Sequence, residues 1–106
     1  MLADKKTRAL ISEYVPPADT LSALADLFAL LADANRLKIV SALSISSLCV
    51  SDLSALIGIN QTTLSHQLTA MRRQNILDKR RQGKISFYYI KNKAVLDIML
   101  SATSFV

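Results

Sequence analysis

Between Ile57 and Gln61 the chain reads Gly58-Ile59-Asn60, and these three residues restrict the fold more than any other stretch. Gly58 closes an apolar-periodic run and is the residue type that accepts the left-handed backbone needed just past a helix end. Asn60 is a good N-cap, because its side-chain oxygen can accept from the unpaired N–H groups of a following helix. A helix stop and a helix start thus lie side by side, and two helices must be joined by a very tight turn. The first is predicted to be short, Asp52 to Ile57 with Ser51 as its cap, and the second to run from Gln61 to about Asn75.

On the second helix Leu64, Leu68 and Met71 fall at i, i+4 and i+7, a spacing that gathers them on one inward face. Thr62, Ser65, His66, Thr69 and Arg73 are thereby driven outward. No residue from Leu53 to Met71 is charged, whereas an ordinary solvated helix face carries Lys and Glu for solubility and i,i+4 pairing. The absence of both favours a face that meets something neutral and rich in hydrogen-bonding groups over a merely solvated one.

The remaining helices are set by caps and breakers. Asp4 opens a first helix that ends near Tyr14, because Pro16 and Pro17 prevent its continuation. Asp19 or Thr20 can cap a second, with Leu21, Leu24, Ala25, Phe28, Leu31 and Ala32 as its buried stripe. Asp33 caps a third through Leu43, and "SISSLCV" follows as a connector. After Asn75 the period becomes alternating, and "ILDKRRQGKISFYYI" predicts a hairpin with its tip at Gln82-Gly83 and Ile85, Phe87 and Tyr89 on one side of the returning strand. Asn92 caps a last helix that is apolar around much of its circumference, a pattern that calls for a second subunit as cover.

A chain of 106 residues suffices for one domain and not for two that each bury a core. Hydrophobic residues make up 51% and aromatic ones only 6%, with two Gly and two Pro, which fits a mostly helical protein. One cysteine rules out an internal disulfide, no charged start leads into an apolar core with a small-residue cleavage site, and no long apolar run is present. The expectation is a cytoplasmic chain without a membrane partner. The net charge of +5 is uneven. Arg72, Arg73, Lys79, Arg80, Arg81, Lys84, Lys91 and Lys93 face only Asp78 within one block, while the rest is slightly acidic. Such a block is an electrostatic footprint for a polyanion, nucleic acid before an acidic membrane surface.

Two helices across a Gly-containing turn, followed by a basic hairpin, match a helix-turn-helix with a wing, the second helix entering the major groove and the hairpin lying on the flanking backbone. Short amides and hydroxyls suit base edges, since they shed less hydration than a lysine. Gln61 can address an adenine, and Thr62, Thr63 and Ser65 can donate to phosphates or bases. Arg72, Arg73, Arg80, Arg81 and Lys84 can engage phosphates and supply the salt-dependent affinity. His66, Thr69 and Gln82 complete the candidate DNA-binding set. A lone histidine here reads as a DNA or side-chain contact before a metal ligand.

"LADLFALLADANRLKIVSAL", "SLCVSDLSALIGINQTTLSHQLTAMRRQNIL" and "RRQGKISFYYI" together resemble the arsenic-repressor (ArsR/SmtB) family of bacterial winged-helix transcriptional repressors, over about Leu21 to Leu100. The resemblance implies a mostly α (α+β) winged helix-turn-helix over 1–106, with five to six helices and a two-stranded wing. It also implies a homodimer formed by the terminal helices, 4–14 and 92–104, on a palindromic double-stranded operator, with recognition helices roughly 34 Å apart. An inducer, commonly a metal ion, would loosen DNA binding.

The family's inducer sites are where this chain departs. A Cys-Val-Cys occupies the "LCVCDL" motif in one such site; here it reads Cys49-Val50-Ser51, and residues 1–20 hold neither Cys nor His. One thiolate does not make a soft-metal site, which takes about four ligands. The other site joins ligands at the start and end of the last helix, and the corresponding positions, about Asn92, Ala94 and Phe105, hold no competent ligand. No metal or cofactor is expected. Cys49 reads first as a small buried hydrophobe, and its place beside the start of a helix makes it the one candidate thiol sensor. No nucleophile–base pair or phosphate-binding glycine loop stands out, so an enzyme is not expected. The alternative to a repressor is a protein-interaction module that binds a partner chain through its apolar terminal helices.

Overall fold

The structure, a computed structural model, describes residues 2–106. Six helices and one antiparallel hairpin follow one another as α1 (Lys5–Tyr14), α2 (Ala18–Leu31), α3 (Ala34–Leu43), α4 (Val50–Ile57), α5 (Gln61–Arg73), β1 (Leu77–Gln82), β2 (Ile85–Ile90) and α6 (Lys93–Thr103).

Four caps form as the sequence predicts. Asp4 accepts from the Thr7 N–H at 2.7 Å, Asp33 from Arg36 at 3.0 Å, Asn60 from Thr63 at 2.8 Å and Asn92 from Ala94 at 3.0 Å. Each satisfies an N–H that the helix leaves without an intrahelical acceptor. Two expected caps are displaced. α2 starts behind Pro17, whose fixed φ of −58° suits the residue preceding a helix, so Asp19 and Thr20 lie inside its first turn. α4 starts behind Cys49, with no side-chain cap bond, and Ser51 is already helical.

Gly58 takes φ +73°, and the turn is tied by Ser54, whose hydroxyl donates to the Ile59 carbonyl. α5 stops at Arg73, two residues before the expected end, and Asn75 adopts φ +60°. That left-handed residue reverses the chain so that Ile76 and Leu77 enter the core.

The hairpin pairs Leu77 with Ile90 through to Gln82 with Ile85. Its tip is therefore Gly83-Lys84, one residue later than predicted, and Gly83 at φ +62° allows the two-residue turn. Tyr88, not the Ile85/Phe87/Tyr89 side, is the buried residue of β2. The Leu48 N–H donates to the Tyr88 carbonyl at 3.1 Å, and the Tyr88 N–H donates back at 2.8 Å. The connector before α4 thus anchors the wing to the helical body, a bridge the sequence did not signal.

Leu30, Leu31, Ile39, Val40, Leu43, Leu53, Ile59, Leu64, Leu68, Met71, Ile76, Leu77, Tyr88 and Val95 form one buried cluster. α1 contributes nothing to it. The stripe expected on α2 is buried only at Leu31, whereas Leu21, Leu24 and Phe28 stay exposed within the single chain. The radius of gyration, 17.9 Å, exceeds the ~13 Å of a compact chain near this length.

The left-handed Asn75 yields a stability test. Asn75→Ala is expected to lower stability by about 1 kcal/mol in urea unfolding, while Asn75→Gly leaves it unchanged or higher. Equal losses in both would contradict the strained-turn account.

Candidate nucleic-acid interface

Leu64, Leu68 and Met71 are fully buried, so α5 has no rotational freedom about its axis. Gln61, Thr62, Thr63, His66, Thr69 and Arg73 are exposed as a result. Ser65, expected outside, is half-buried. Its carbonyl accepts from the Thr69 hydroxyl at 2.9 Å, so Thr69 keeps lone pairs rather than its proton for an incoming group. Gln67 turns partly inward, and its Oε1 is buried without a hydrogen-bond partner.

α5 has no acidic residue in its first turn and two arginines, Arg72 and Arg73, in its last. The helix N-terminus favours an anion without assistance, while the C-terminus needs cations to offset its negative end. Thr69, Arg72 and Arg73 line an open recess of about 250 Å³.

On the wing, Lys79, Arg80, Arg81, Gln82 and Lys84 are all exposed. Successive strand residues alternate faces, so β1 offers Lys79 and Arg81 on one face and Arg80 on the other. The Lys79 ammonium lies 5.8 Å from the Tyr88 ring centroid, and the Arg80 guanidinium 5.9 Å from that of Tyr89. Arg81 Nε donates to the Gly83 carbonyl at 2.9 Å. Three of the wing cations are thus partly ordered by aromatic faces or by the turn itself.

One contact joins wing and helix directly. Arg72 Nε stands 3.5 Å from Asp78 Oδ1, and this nitrogen is buried without a hydrogen bond. The expectation that Arg72 simply faces phosphate is thereby revised. Asp78 Oδ1 also accepts from the Lys79 N–H at 2.8 Å. That bond, with the positive charges of Arg72 and Lys91, holds the Asp78 carboxyl below its ordinary value. The pair was missed in the sequence, although Asp78 stands out there as the only acid among eight cations.

Cys49 is a half-buried free thiol. Among the described residues no group of three or more His, Cys, Asp or Glu side chains is placed to hold a metal ion, and no helix is long and apolar enough to cross a membrane.

Residues 33–79, which span α3 to the start of β1, match the family model described as bacterial regulatory protein, arsR family. A transcriptional repressor SmtB homolog of Synechocystis is 35% identical over 88 residues, covering 83% of this chain and 67% of that protein. The chain belongs to the arsR family of bacterial regulatory proteins. The chain spans about two thirds of the length of the curated relatives it matches. It is also 38% identical over 79 residues to the cadmium resistance transcriptional regulatory protein CadC of Listeria innocua, covering 74% of this chain and 66% of that one. In fold it is similar to the homodimeric winged helix-turn-helix DNA-binding domain Mb0332 of Mycobacterium bovis, with a TM-score of 0.74 and 23% identity over 99% of this chain and 89% of that domain. The architecture is therefore a winged helix-turn-helix.

The lowered Asp78 value has a definite sign. Its contribution to stability is complete above the ordinary carboxylate value of 3.8 and is lost as the pH falls through the lowered one. Carbon-detected NMR titration is expected to place the Asp78 midpoint below 3.8; a midpoint at or above that value would contradict the contacts described.

Proposed function

We propose that this ArsR-family chain is a sequence-specific DNA-binding transcriptional repressor that acts as a homodimer on a palindromic operator. The observation that carries the reading is the pairing of an uncharged, hydrogen-bonding outer face on α5 with a basic hairpin tied to the end of that helix. A helix with such a face fits the major groove, whose base pairs each present a distinct pattern of donors and acceptors. Gln61, Thr62, Thr63, Ser65 and His66 are the base-reading candidates, with Thr69 beside them as an acceptor. Arg73, Arg80, Arg81, Gln82 and Lys84 engage the phosphate backbone, and Arg72 does so through its exposed end. The relatives' descriptions as repressor and regulatory protein accord with this role.

Dimerisation accounts for what the single chain leaves uncovered. Leu10, Ile11 and Tyr14 of α1, with Leu100 and Phe105 at the other end of the chain, are exposed, Leu100 by 72% and Phe105 by 91%. Exposed apolar side chains at both ends of the chain, with none of α1 buried, suit burial between two copies. The dimeric form named for the Mycobacterium bovis domain is consistent with that use. An inducer, if it is a metal, needs ligands beyond those gathered in one chain, and Cys49 is the one thiol that can sense an oxidant or a thiophile.

Fluorescence anisotropy tests the DNA reading. Duplex from upstream of the protein's own coding region is expected to bind at low salt, with log K falling by about 0.9 per phosphate neutralised for each tenfold rise in salt. Replacing Arg80 and Arg81 with Ala weakens binding to all sequences alike, whereas Gln61→Ala changes sequence preference. Absence of binding at low salt would end the reading.

Light scattering tests the dimer. The wild-type chain is expected at twice the mass of one chain, and Leu10→Glu with Leu100→Glu shifts it to the monomer. A stable monomer that pairs with a different protein would favour an interaction module instead.

A further inference from the structure

Asp78 poses a problem for a surface that meets a polyanion. It is the only acid in a block of eight cations, and it stands on β1 directly opposite Tyr89, where a neutral polar residue would cost less in repulsion from DNA. Its carboxylate is not free to swing away. Strand pairing fixes the backbone, and the Lys79 N–H holds Oδ1 at 2.8 Å.

Arg72 completes the arrangement from the helix side. Its Nε is buried 3.5 Å from that same oxygen, yet the side chain as a whole is 38% exposed. The exposure therefore lies on other atoms of the side chain, and Arg72 lines the recess shared with Thr69 and Arg73. A planar fork with its Nε turned inward presents its terminal nitrogens as a pair, the geometry that suits a phosphate oxygen pair. Thr69, with its proton committed to the Ser65 carbonyl, borders the recess without competing for those donors.

We propose that Asp78 is a positioning residue that aims the Arg72 guanidinium at one DNA phosphate seated between Thr69, Arg72 and Arg73, and so sets the register of α5 on its operator. This rests on the DNA-binding reading above and adds a specific division of labour. Asp78 lowers the general attraction for DNA by its charge and raises discrimination by locking wing and recognition helix into one unit. Phosphate contacts carry no sequence information themselves, but they fix the register from which base contacts are made.

The test compares Asp78→Asn, Asp78→Glu and a charge-matched control, Asp26→Asn, an exposed acid on α2. Asn keeps an acceptor for the Lys79 N–H and removes only the charge that faces Arg72. Each variant is titrated by anisotropy with a duplex that the wild-type chain selects from a random pool and with a scrambled duplex of equal length. Asp78→Asn is expected to bind the scrambled duplex as well as wild type or better, while the selected-to-scrambled affinity ratio falls about fivefold, the upper range for an exposed ion pair. Asp78→Glu and Asp26→Asn keep the ratio within about twofold. A ratio for Asp78→Asn within about twofold of wild type, or an equal fall in Asp26→Asn, overturns the proposal.

A second measurement separates this inference from the function it rests on. In the DNA-free protein, the Arg72 Nε–Hε NMR signal is expected to shift in Asp78→Asn and to stay in place in Asp26→Asn. An unmoved signal in Asp78→Asn overturns the positioning role alone. A wild-type chain that selects no duplex overturns the DNA reading, and with it the phosphate role of Arg72, even where the Nε–Hε signal moves.

Discussion

Burial of Leu64, Leu68 and Met71 is the constraint on which the rest of the molecule depends. These side chains are the most enclosed part of α5, and truncating a buried leucine typically costs about 2–5 kcal/mol. Rotation of α5 is therefore far more expensive than any single polar contact on its outer face is worth. The direction of Thr62, His66, Thr69 and Arg73 follows from packing, not from any interaction those residues make with one another. Gly58, with φ +73°, and Asn60, as the cap, then fix where that rigid rod begins.

The wing depends on the same core by another route. Asn75 turns the chain so that Ile76 and Leu77 are buried, and Tyr88 returns to the core on β2. Its bridge to Leu48 braces the hairpin from the far side. What projects beyond this anchored base carries Lys79, Arg80, Arg81 and Lys84 and no acid, so the ribbon is rigid at its root and electrostatically directed at its tip. The Arg72–Asp78 pair adds a direct tie between the two DNA-facing elements, too exposed to contribute much to stability and well placed to govern alignment.

Local chemistry was the legible part of the sequence. Asp4, Asp33, Asn60 and Asn92 could be read as caps because each needs only its own side chain and an N–H two or three residues on. The helix-turn-helix and the hairpin followed from one glycine and one change of period. Features decided by backbone geometry alone were less visible. Pro17 and Cys49 precede their helices without any side-chain cap bond, and the hairpin tip falls one residue later than the Gln82-Gly83 expectation because strand pairing selects it. The α2 stripe shows a different limit. Its spacing is helical, but periodicity does not say whether a face is covered by its own chain, and Leu21, Leu24 and Phe28 are not. Among the candidate site residues, the outward direction of Gln61, Thr62, Thr63, His66 and Thr69 was readable from the 3.6-residue period. Half-burial of Ser65 and the inward Nε of Arg72 depend on neighbours that the period does not name.

The central claim is that the outer face of α5 and the basic hairpin form one DNA-facing surface. Amide shift mapping by NMR, with a short mixed-sequence duplex at low salt, addresses it residue by residue. The account predicts that the largest changes fall within residues 61–73 and 79–84, with α1 and α2 little affected. Changes confined to the terminal helices, or a hairpin that responds while α5 does not, would contradict it.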